Sequence, residues 1–161
     1  MPIDHQTLTP DRIDQMSVYL QRKWYASDRI VVYKPYTGDE STIAEWSRVA
    51  ADTIRNWKHP QIYLAIHDIS QPGVAMKYTS RHKNILLPGV TDEGMQAIRD
   101  STDNRQLFEA RIALLVSGQF SGHITRTFAQ IEAYNRIDEH GQFKIFIDEN
   151  AALNWLSSFL T

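Results

Sequence analysis

Apolar positions recur with two different periods along this 161-residue chain, and the change of period marks its elements. In Arg29–Tyr36 the run Ile30, Val31, Val32 and Tyr33 is β-branched and aromatic, which predicts a strand. The preceding segment, Met16–Trp24, fits two patterns. Thr9-Pro10-Asp11 reads as a helix start that would place Ile13, Met16 and Leu20 on one face. Met16, Val18 and Leu20 also alternate with Ser17, Tyr19 and Gln21 at the strand period. Ala26-Ser27-Asp28 suits a short hairpin loop, so the favoured reading pairs Met16–Trp24 with Arg29–Tyr36. Thr42 and Glu45 fit a capping box ahead of a helix whose stripe is Ile43, Trp46, Val49 or Ala50, Ile54 and Trp57. His59-Pro60 ends that helix. In the strand Gln61–Ile69, Ile62, Leu64 and Ile66 face one way and Tyr63 and Ala65 the other.

The second half repeats the alternation of strand and helix. A helical turn is expected in Gly73–His82, a break at Pro88-Gly89, and a helix from Thr91 to Asp100 with Met95 and Ile98 inward. Thr102–Asn104 is polar linker. Arg111–Ser117 reads as a strand and Gln119–Asn135 as a helix carrying Phe120, Ile124, Phe128, Ile131 and Tyr134. Asp138–Gln142 reads as a turn and Phe143–Ile147 as a strand. Asp148 caps a closing helix, Glu149–Leu160, that buries Ala152, Trp155, Leu156 and Phe159. The expected architecture is α/β, a single domain with a mixed, mostly parallel sheet of about five strands and helices packed on it. Residues 1–14 form an N-terminal extension and 15–160 the core.

Composition narrows the function classes. Apolar residues make up 42% and the net charge is −2. Residues 1–80 hold nine basic and nine acidic side chains and residues 81–161 hold eight and ten. Neither half has the basic excess that nucleic acid or an anionic membrane would require. There are no cysteines, which excludes disulfides, thiolate metal sites and a cysteine nucleophile. No apolar run reaches the roughly 18–20 residues of a membrane span, and MPIDHQTLTPDR lacks a signal pattern. These features read as a cytoplasmic, soluble protein.

The order of hairpin, helix, strand, helical region, strand, helix, strand and helix resembles the STAS fold of the anti-sigma-factor antagonists and the SpoIIAA-like proteins. The resemblance spans residues 15–160. It is carried best by RIALLVSGQFSGHITRTFAQIEAYN and FKIFIDENAALNWLSSF, in which Asp148 precedes an Ala-Leu-x-Trp-Leu helix (Ala152-Leu153-Asn154-Trp155-Leu156). These residues are caps and core positions, informative about fold rather than chemistry. The family's phosphorylatable Asp-Ser-Ser-Gly turn has no counterpart. Asp68-Ile69-Ser70 keeps the strand end, but Gln71–Tyr78 departs from the pattern, and Thr79 and Ser80 lack the acidic and glycine neighbours. The resemblance implies a non-enzymatic binding or regulatory domain, acting through a protein surface, as a homodimer, or through a small anionic or apolar ligand.

Two segments could carry such a ligand. His67-Asp68-Ile69-Ser70 holds an acid, a base and a hydroxyl, but strand neighbours point to opposite faces, and the plainer account is a strand end satisfying its loop. Ser117–His123 joins strand to helix with two glycines, where free N–H groups could meet an anion, without being a P-loop or dinucleotide fingerprint. If these strands are parallel neighbours, both segments share the carboxyl rim of the sheet, where α/β proteins bind ligands. The expected ligand-binding residues are Asp68, Ser70, Gly118, Ser121, Gly122 and His123. No cofactor is expected, and the six scattered histidines show no metal-binding spacing. Trp24, Trp46, Trp57 and Trp155 read as core. The alternatives are a small enzyme using His67, Asp68, Ser70 or His123, and an interaction module without a ligand.

Overall fold

The chain opens with three antiparallel strands: β1 (Arg12–Ser17), β2 (Leu20–Tyr25) and β3 (Ile30–Pro35). The computed structural model describes residues 8–58, 62–71, 73–74, 109–119 and 141–160. The single strand expected over Met16–Trp24 is therefore two, divided by a tight turn at Val18-Tyr19. Alternation concealed the break because both turn residues are apolar, and Val18 is 81% exposed. The helical alternative after Pro10 also fails, since Ile13 lies exposed in β1. Strand β1 begins inside the segment set aside as an extension.

Helix α1 (Glu40–Arg55) starts earlier than the expected capping box. Its N-cap is Asp39, whose side chain makes no cap bond, and Thr42 lies buried inside the helix. Glu45 instead accepts a hydrogen bond from Ser17 Oγ at 2.8 Å. The long-range partner on β1 replaces the local one. The stripe Ile43, Trp46, Ala50 and Ile54 is buried as expected, and Asn56 closes the helix.

Strands β4 (Tyr63–Asp68), β5 (Ala110–Leu115) and β6 (Gly141–Phe146) complete the sheet, and α2 (Glu149–Ser157) follows. Among the described residues the sheet is mixed, with six strands in sequential order, β1 to β6. The first two pairings are antiparallel and the last three parallel. The sixth strand comes from the division at Val18-Tyr19. Gly141 and Gln142, expected in a turn, pair with Ala110 and Arg111, so parallel pairing extends β6 toward its amino end.

Strand alternation gives each face its own apolar layer. Val31, Tyr33, Tyr63, Ala65, Ile112 and Leu114 face α1. Val32, Leu64, Ile66, Ala113 and Leu115 face α2, where Ala152, Leu153 and Leu156 pack. The expected facing of β4 holds residue by residue. Asp148 caps α2, accepting from the Asn150 N–H at 3.0 Å. Trp155 and Phe159 are only half-buried, and Leu153 takes the inner position instead. Burying one large aliphatic side chain contributes about 1.5–3 kcal/mol, against roughly 0–1 for an exposed ion pair. The two apolar layers therefore hold the fold, and pairs such as Arg55–Asp52 decorate it. A partly buried pair, Lys23 Nζ to Glu149 Oε1 at 2.6 Å, fastens β2 to the start of α2. Among the described residues, no helix is long and apolar enough to cross a membrane.

Candidate functional site

The parallel pairing of β4 with β5 brings Asp68–Ser70 and the start of the second expected segment, Ser117–Gln119, to one rim. Asp68 registers with Leu115, and the Ile69 N–H donates to the Leu115 carbonyl at 2.9 Å. Among the described residues, the β4 side of that rim is a satisfied turn. Asp68 is buried, and its Oδ1 accepts from both the Ser70 N–H, at 3.0 Å, and the Ser70 hydroxyl. The carboxylate is committed to its own loop. Its charge also has the wrong sign for an anion. Among the described residues, a Cβ on Gly118 would meet nothing within 4 Å, so none of them demands glycine there by close approach. Ser121, Gly122 and His123 lie outside the described residues, as do the helix expected over Thr91–Asp100, all but Gln119 of the one expected over Gln119–Asn135, and most of Gly73–His82.

His67 does not join Asp68 and Ser70. It faces the α1 layer, with ring centroids 5.8 Å from Tyr33 and 5.2 Å from Trp46, both edge-on. Asp68, one residue on, faces the α2 side with Leu64 and Ile66. Burial lowers the His67 pKa to about 3, so the ring is neutral at pH 7 and too weak a base for proton abstraction. The acid–base–nucleophile arrangement is not formed.

A cleft of about 550 Å³ opens at the other end of the sheet, between the β1–β2 hairpin and the last turns of α1. Its wall is built by cross-strand pairing, which sets Arg12 opposite Trp24 and Asp14 opposite Arg22. Arg22 donates to Asp14 Oδ2 from Nε at 3.1 Å and from a terminal nitrogen at 2.8 Å, and to Thr53 Oγ1 at 3.0 Å. The Trp24 indole donates to the same Asp14 oxygen at 2.9 Å. Burial pushes the Asp14 carboxyl up, but the hydrogen bonds from Trp24 and Arg22 and the charges of Arg22 and Arg12 outweigh it and hold the pKa below the usual range. Both guanidinium carbons, of Arg12 and Arg22, lie 5.1 Å from the Trp24 ring centroid. Trp24 stacks on Trp57 at 6.2 Å and 19°.

The lip of the cleft is the β2–β3 loop. Ala26, Ser27 and Asp28 all take left-handed backbone angles, with φ of 55°, 56° and 61°. Left-handed residues other than glycine cost roughly 1–2 kcal/mol each. Three contacts brace this loop: the Ser27 N–H donates to Asp11 Oδ2 at 2.8 Å, the Arg29 N–H donates to the Tyr25 carbonyl at 3.1 Å, and Arg12 pairs with Asp28 at 3.6 Å. Arg29 follows directly. Its Nε is buried, with no acceptor among the described residues.

Sequence reasoning missed this cleft because it set Arg12 and Asp14 aside with the extension and read Trp24 and Trp57 only as core. The available signal was the pair of patterns Arg12-x-Asp14 and Arg22-x-Trp24, which a hairpin places on one face. Among the described residues, no group of three or more His, Asp or Glu side chains is placed to hold a metal ion. Comparison with known proteins finds no family model, no curated protein and no solved structure that matches the chain.

Proposed function

We propose that the chain is a non-enzymatic STAS-like binding domain with a regulatory role, and that its ligand sits in the cleft between the hairpin and α1. The cleft itself carries this reading. Its volume of about 550 Å³ lies within the 300–1,000 Å³ usual for small-molecule sites. Its lining sets four aromatic and apolar side chains, Trp24, Trp57, Met16 and Val49, among nine charged and polar ones. Binding rather than catalysis is favoured by the separation of His67 from Asp68 and Ser70. The STAS-like assignment draws support from the element order: hairpin strands, helix, strand, two further parallel strands and a closing helix.

The indole N–H signals of Trp24 and Trp57 report on the cleft, whereas Trp46 and Trp155 lie elsewhere. A nuclear magnetic resonance screen with a fragment library is expected to find compounds that shift the first pair and leave the second pair unmoved. Fragments that perturb only other regions, or none that bind, would remove the reading.

A second reading, self-association, is favoured by one observation. Val18, Tyr19 and Tyr36 are exposed together at the hairpin tip, where the Tyr36 N–H donates to the Tyr19 carbonyl at 2.8 Å. The partner proposed is a second copy of the chain, joined through these side chains. Pairing along the edge of β1 is disfavoured by the irregularity between Gln15 and Ser17 and by the charges of Arg12 and Asp14. Light scattering should then give a dimer mass that Val18→Glu reduces to a monomer. A monomer mass for the unaltered chain at high concentration ends this reading.

A further inference from the structure

We infer that the cleft is built for a flat aromatic acid, a ring carrying a carboxylate, sulfonate or phosphate group, with Arg29 and Lys58 receiving the acid. The inference rests on the cleft being the ligand site. It goes further by specifying the ligand's charge and shape.

Charge pairing around the cleft decides the sign. Four cations line it, Arg12, Arg22, Arg29 and Lys58. Arg22 is spent on Asp14 and Thr53, and Arg12 is held by Asp14 at 3.3 Å and Asp28 at 3.6 Å. The acids of the lining are matched as well: Asp28 by Arg12, and Asp52 by Arg55 at 2.9 Å. Arg29 and Lys58 have no ion-pair partner among the described residues. They are the surplus, and both are cationic.

Arg29 gives the independent observation. The buried Arg29 Nε meets no acceptor among the described residues, and a buried guanidinium nitrogen left so is destabilising until an acceptor arrives. An oxyanion is the strongest acceptor for a guanidinium and can take two of its N–H groups at once. A neutral carbonyl would restore the bond but leave the charge unmatched.

The aromatic wall decides the shape. The Trp24–Trp57 stack runs along the cleft, and Trp57 is only half-buried, so part of its ring remains open to a ligand. Met16 and Val49 continue the apolar surface. A flat ring suits this wall better than a flexible chain, because stacking adds to area burial without ordering many torsions.

The test uses two probes of matched shape, 8-anilino-1-naphthalenesulfonate and its neutral counterpart N-phenyl-1-naphthylamine. Each is titrated into the unaltered protein and into Arg29→Gln and Lys58→Gln. Affinity is read by probe fluorescence, and location by the Trp57 indole signal of the unaltered protein. The sulfonate is expected to shift that signal. Arg29→Gln should weaken it about tenfold, the loss of one charge-assisted hydrogen bond, and Lys58→Gln by a smaller factor. The neutral probe should be insensitive to both variants. If both probes shift Trp57 and the variants weaken them equally or not at all, the acid preference is overturned while the cleft remains a binding site. If neither probe shifts Trp57, the inference and the proposed function fall together.

Discussion

His67 shows how a single position can be governed by its packing. An imidazolium in its place would have to leave water for a slot between Tyr33 and Trp46, and burial therefore lowers its pKa to about 3. In the unfolded chain the value returns to about 6.5. Between these values the unfolded state binds the extra proton, so stability falls as the pH falls. The contribution of His67 is complete above about pH 6.5 and is lost on acidification toward 3. Urea unfolding between about pH 7 and pH 4.5 should show a slope approaching 1.4 kcal/mol per pH unit. His67→Phe, which keeps the ring and removes the titration, should flatten it. Asp14 does not confuse the measurement. Its carboxyl is held below the usual carboxylate range, so its share is lost only at lower pH. A slope that survives in His67→Phe would assign the effect to other groups.

Two loops carry the element-scale constraints, and they call for opposite substitutions. Gly38, between β3 and α1, lies against the turn after β4, and a Cβ there would overlap the carbonyl oxygen of Gly73. Backbone cannot give way as a side-chain tip can, so Gly38→Ala should destabilise by about 1–3 kcal/mol. Ala26 stands in the left-handed region with nothing to gain from its methyl group, and Ala26→Gly should stabilise by about 0.5–1 kcal/mol. Chemical denaturation of both variants checks the signs, and equal signs would refute the reading of one loop or the other. The same contrast explains what was legible in the sequence. Strands β3 to β5 and helices α1 and α2 are local patterns of burial, and Leu64 or Ala152 can be placed from period alone. The Val18-Tyr19 turn has no turn residue, and the partner of Glu45 is Ser17, 28 positions away. Neither is written in a local window. Likewise the cleft is a product of register: Arg12, Asp14, Arg22 and Trp24 converge only once β1 and β2 are paired.

At the scale of the whole molecule, the sheet is graded from a sealed centre to an open edge, and the cleft lies at the open edge. All six residues of β4 are buried, with β3 and β5 bonded on either side. Among the described residues, strand β1 has one neighbouring strand, with a register irregularity, and none of its own residues is fully buried. Native-state amide hydrogen exchange should therefore divide the sheet. Amides of β4 should exchange only through global unfolding, and those of β1 through local opening at a smaller free energy. Arg12 and Met16 line the cleft from β1, while Val49, Thr53 and Trp57 line it from α1 and its end. A ligand that bridges these walls must be released whenever β1 opens. Saturating the cleft with 8-anilino-1-naphthalenesulfonate at 100 times its Kd should raise the opening free energy of β1 by about 2.7 kcal/mol, up to the global limit. Protection of β4 should rise by the same increment, since global unfolding also destroys the site. A ligand bound at the carboxyl rim, where Asp68 and Ser70 lie, would instead leave the local opening of β1 unchanged. The ratio of the two increments thus reports which end of the sheet the ligand occupies.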